Sequence, residues 1–70
     1  MKKKIKIKIN GKKIMINDNT KLHVFLKKFE VPLNKVAIEL NREIVDKKKL
    51  NDITLKTNDK IEVVHFIGGG

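Results

Sequence analysis

From Lys4 to Ile9 the chain reads Lys-Ile-Lys-Ile-Lys-Ile, and Asn10-Gly11 follows at once. Strict alternation is the period of a strand with one buried and one wet face, because successive side chains of an extended chain point to opposite sides. Ile5, Ile7 and Ile9 are therefore expected to face a core. A two-residue Asn-Gly loop favours a type I′ turn, in which both central residues need φ > 0. The pattern predicts a hairpin, with Lys12 to Ile16 as the returning strand.

Asn17-Asp18-Asn19-Thr20 is a turn cluster that can also supply a helix N-cap. After it, Leu22, Phe25, Leu26 and Phe29 fall at i, i+3, i+4 and i+7, one apolar helical stripe to lie on the sheet. Val31-Pro32 ends that helix by about Glu30, since proline lacks an N–H donor and disfavours helical geometry in the residue before it. Val36, Ile38 and Leu40 alternate as a third strand, Asn41-Arg42 turns the chain, and Glu43-Ile44-Val45 offers a short pairing segment. Asp46 to Leu50 reads as a loop or a single helical turn, and Ile53 and Leu55 as a brief edge strand. Thr57-Asn58-Asp59 is a turn, and Lys60 to Ile67 is the last strand.

Hairpin, helix, strand, irregular segment and strand make an α+β order whose natural two-layer solution is a mixed sheet of four to five strands crossed by one main helix. The link from the second strand through the helix to the third is a crossover, right-handed if those strands are parallel. Placing the last strand centrally, beside the first, buries Ile61, Val63 and Ile67 and leaves Gly68-Gly69-Gly70 projecting from the sheet end. That is the β-grasp, or ubiquitin-like, arrangement. It is expected over residues 1–67, with residues 68–70 as a flexible glycine tail.

Seventy residues make one small domain with little room for an enzyme pocket. The absence of cysteine excludes disulfides, thiolate nucleophiles and Cys-based metal sites. His23 and His65 are the only histidines, without metal-ligand spacing, and each reads as a satisfied or solvent-facing side chain. Asp18, Asp46, Asp52 and Asp59 fall in turns or loops, where aspartate bonds the local backbone. No metal site and no catalytic set emerges. The net charge of +9 points to nucleic acid, anionic membrane or an acidic protein. Against nucleic acid, Arg42 is the one arginine among 17 cations, and Tyr and Trp are absent. Solvated lysine faces are the plainer reading. No apolar run spans a membrane or forms a leader, so a soluble, cytoplasmic, monomeric protein is expected.

The glycines cannot form a phosphate loop, which needs a following helix. Glycine has no Cβ, so such a tail passes through channels too narrow for other residues, and three extended residues reach roughly 10 Å. Read as a terminus, Gly70 carries a free carboxylate, and the alternative is a frayed end. Val64 and Phe66 alternate opposite Val63, His65 and Ile67, which makes them candidate partner contacts beside the tail. Ordinary packing beneath the helix is the competing reading for both.

The whole chain resembles the small sulfur carrier proteins of thiamine biosynthesis, the ThiS family. The resemblance rests on Asn10-Gly11, the stripe of Leu22, Phe25 and Leu26, the segment from Val36 to Val45, and the ending from Val63 to Gly70. The lysine-rich start is heavier than the pattern leads one to expect, and Lys21 separates Thr20 from the helix. The resemblance implies a protein cosubstrate that is no enzyme and binds no cofactor itself. An E1-like adenylating enzyme of the ThiF type would use ATP and magnesium to activate Gly70, with Gly68 and Gly69 as its slim lead. Sulfur from a donor such as a cysteine desulfurase would replace AMP, and the thiocarboxylate would serve a thiazole synthase of the ThiG type. The alternatives are a molybdopterin-type carrier, a ubiquitin-like modifier and, from another class, a basic nucleic-acid-binding module.

Overall fold

Asn10 and Gly11 take φ of 48° and 82°, the left-handed pair that a type I′ hairpin requires. The computed structural model describes residues 3–66 and pairs strand β1 (Lys4–Ile9) antiparallel with β2 (Lys12–Asn17). Ile5 stands opposite Ile16 and Ile7 opposite Ile14, so four isoleucines share one face. Strands β3 (Val36–Leu40), β4 (Glu43–Ile44) and β5 (Lys60–His65) complete a five-stranded sheet in the order β2-β1-β5-β3-β4. The last strand is central, parallel to β1 and antiparallel to β3. This is the expected β-grasp arrangement. Asn41 and Arg42, with φ of 52° and 72°, make a second left-handed pair between β3 and β4.

Helix α1 (Leu22–Lys28) buries Leu22, Phe25 and Leu26 against the sheet. Its C-terminus is a Schellman motif: Glu30 takes φ 55°, its N–H bonds Lys27 O at 3.0 Å, and Val31 N–H bonds Leu26 O at 3.1 Å. The helix is thus closed by backbone geometry before Pro32 is reached. Phe29 falls at the cap, outside the last turn, and is half exposed, so it is not the fourth core member of the stripe. It packs on Phe25 instead, ring centroids 4.7 Å apart.

The turn cluster does not cap α1. The N-cap is Lys21, whose side chain makes no capping bond, while Thr20 Oγ1 donates to Asn17 O and Asp18 Oδ1 accepts from Asn19 N–H. The first helical N–H is satisfied from far along the chain. Leu22 N–H donates to Ile53 O and Leu55 N–H to Thr20 O, around a single bridge between Lys21 and Thr54. That bridge replaces the edge strand expected at Ile53 and Leu55, and it is enough to bury Leu55. A 3₁₀ helix, Lys47–Asp52, precedes it, capped by Asp46 Oδ1 accepting from Lys48 N–H at 2.9 Å, and buries Leu50. Ile5, Ile7, Val36, Ile38 and Ile61 close the core from the sheet side.

Candidate functional site

Strand β5 outlasts its neighbour. β1 ends at Ile9, level with Ile61, so from Val63 onward β5 has no strand on that flank. Asn10 takes over the pairing: its N–H donates to Ile61 O at 2.9 Å and its Oδ1 accepts from Val63 N–H at 2.8 Å. On the other flank β3 stays in register to Val36 opposite His65, and Phe66 N–H donates to Lys35 O in the 3₁₀ turn Leu33–Lys35. The backbone is therefore held on the hairpin flank as far as Val63 and on the β3 flank as far as Phe66, the residue before Ile67. Ile67 and the expected tail, Gly68, Gly69 and Gly70, lie outside the described residues.

Ile61 and Ile38 face the helix, so the alternate residues of β5 must face away from it. Val64 and Phe66 are 47% and 50% exposed on that open face, with Ala37 directly opposite Val64. Packing beneath the helix is thereby excluded for both. Ile44, 76% exposed, joins their face because it stands opposite Glu39 in the β3–β4 register. The sequence pattern places Ile44 in a short pairing segment but not among the partner contacts, since its facing depends on a cross-strand register that a two-residue strand does not declare. Lys47 closes the rim: its Nζ sits 5.3 Å from the Phe66 ring centroid, a cation–π distance, and donates to Leu33 O.

The remaining polar candidates act locally. Asp59 accepts from Lys56 N–H and from the Asn41 amide, and Asp18 and Asp46 bond the backbone of their own turns. Asp52 ends the 3₁₀ helix in solvent. His65 is exposed. His23 departs from expectation: it is partly buried, and its Nδ1 is shielded from solvent without a hydrogen-bond partner among the described residues. Among the described residues no group of three His, Cys, Asp or Glu is placed to hold a metal. No helix there is long and apolar enough to cross a membrane. What the described residues form is a braced stem with an apolar margin, leading into Ile67 and the glycines.

Known proteins match both the sequence and the fold of this chain. The model of the ThiS family matches residues 3–70. The sulfur carrier protein ThiS of Bacillus subtilis is 32% identical over 65 residues, covering 91% of this chain and 98% of that one. A thiazole synthase of Magnetococcus marinus is 38% identical over 66 residues, 94% of this chain but 20% of that protein. The chain thus spans about a fifth of the thiazole synthases it matches. The crystal structure of the thiamine biosynthesis protein ThiS from Geobacter metallireducens superimposes with a TM-score of 0.83 at 26% identity, over 94% of this chain and all of that one.

Proposed function

The chain belongs to the ThiS family, and from that premise we propose that it is a sulfur carrier for the thiazole ring of thiamine, with the carboxylate of Gly70 as the carrying group. The observation that carries this reading is the braced end of β5, held at Val63 by Asn10 and at Phe66 by Lys35, immediately before Ile67 and the glycines in the sequence. An adenylating partner of the ThiF type would join the carboxylate to the α-phosphate of ATP, with magnesium assisting and pyrophosphate leaving. The acyl-adenylate turns a poor electrophile into a good one. A sulfur nucleophile, ultimately fed by a donor such as a cysteine desulfurase, then displaces AMP, and the thiocarboxylate passes to a thiazole synthase of the ThiG type. The carboxylate chemistry needs phosphate and metal binding that a domain this small leaves to its partner. The chain is a cosubstrate in this reading and works in the cytoplasm.

Val64, Phe66 and Ile44 supply the apolar margin on which such partners would close. The test is exchange of labelled pyrophosphate into ATP by the host's adenylating enzyme. Exchange that depends on this chain and is lost when Gly69 and Gly70 are removed supports the reading. Exchange indifferent to their removal defeats it.

A further inference from the structure

The face of the sheet turned away from α1 carries three chemical bands in a fixed order along β5. Furthest from the glycines lies a row of lysines across three neighbouring strands. Lys13 on β2 is directly opposite Lys8 on β1, and Lys8 directly opposite Lys60 on β5. With Lys6 they line a shallow depression of about 350 Å³. Two residues along β5, Glu62 stands directly opposite Glu39 on β3. Two further on comes the apolar margin of Val64, Ala37 and Phe66, while Ile44, opposite Glu39, ends the glutamate row at the sheet edge. From Lys60 to Phe66 the pattern extends about 20 Å at strand rise.

Like charges directly opposite on one face destabilise a sheet, so neither the lysine row nor the glutamate pair is explained by folding. Both repulsions are relieved by a surface of complementary sign. We infer that this face is an orientation key for a partner protein whose docking surface is apolar beside the site that takes the glycines, basic next to that, and carboxylate-bearing beyond. This rests on the carrier reading for which end enters the partner. A nucleic acid fits poorly: its phosphates would meet Glu39 and Glu62 between the lysine row and the stem. Bands of alternating sign also fix register, because a partner rotated or shifted by one band meets like charge.

The probe is the host's adenylating enzyme, with association followed by stopped-flow fluorescence across ionic strengths and conversion of the chain followed separately. A K8T/K13T/K60T variant keeps strand-forming residues at all three positions. It should associate at least about tenfold more slowly at low salt, with the gap closing at high salt. Conversion at saturating enzyme should remain, and the variant's own melting temperature at low salt should rise. E39K/E62K, which erases the middle band, should also associate more slowly, although it adds positive charge. Wild-type association rates in the lysine variant overturn the key. So does faster association of E39K/E62K, which would mark the face as a plain basic patch. So does single-stranded RNA binding that the lysine variant loses while its association with the enzyme is unchanged. Intact association without conversion of the wild-type chain would instead defeat the carrier reading and leave the key standing.

Discussion

Replacing Asn10 by glycine separates two tasks this residue performs. Glycine keeps the left-handed φ of 48° without a Cβ, so the turn survives. It removes the Oδ1 that accepts from Val63 N–H at 2.8 Å, the one bond among the described residues that holds that flank of β5 past Ile61. A neutral hydrogen bond contributes about 1 kcal/mol net, so Asn10→Gly should destabilise by about that amount. Asn10→Ala loses the same acceptor and adds left-handed strain of about 1–2 kcal/mol, for a total of about 2–3 kcal/mol. In a domain of this size each kcal/mol lowers Tm by roughly 4–8 °C. Urea unfolding followed by circular dichroism, with an unchanged slope, measures both. Amide exchange at Val63 should lose protection in each variant. The reasoning is refuted if Asn10→Gly is as stable as wild type with Val63 still protected, or if the alanine variant is no worse than the glycine variant.

Glu30 and Arg42 hold left-handed φ of 55° and 72° with full side chains. Glu30→Gly and Arg42→Gly should each raise stability by up to about 1 kcal/mol, read as a higher urea midpoint. Leu26→Ala removes a fully buried side chain beneath the helix and should cost about 2–5 kcal/mol, enough to leave much of so small a domain unfolded at 37 °C by circular dichroism. V64A/F66A truncates two half-exposed side chains and should change stability by less than about 1 kcal/mol, while weakening adenylating-enzyme binding by tenfold or more in calorimetry.

The hairpin and most of the core could be read from the sequence because they rest on period-two and period-3.6 patterns and on Asn-Gly, all local signals, whereas the central place of the last strand followed from packing its apolar residues into two layers. The ends of α1 could not. Its first N–H is met by Ile53 O, some thirty residues away in sequence, and its last turn is closed by Glu30, a residue with no intrinsic call for φ > 0. Phe29 followed the helical period yet lies beyond the turn where the period still applies. At the stem, Val64 and Phe66 could be picked out by alternation, but which face they share, and that Ile44 shares it, follows only from cross-strand register. Asn10 was legible as a turn residue. Its second role, as a side-chain acceptor for Val63, depends on β5 running past β1, which no local pattern encodes.

The most direct test of the carrier reading is the intact mass of the chain after incubation with ATP, magnesium, a sulfide source and the host's adenylating enzyme. The account predicts one oxygen replaced by sulfur, located by fragmentation at Gly70 and reversed by thiazole synthase with its substrates. An unchanged mass with a demonstrably active enzyme, or sulfur placed anywhere but the final carboxylate, would contradict it.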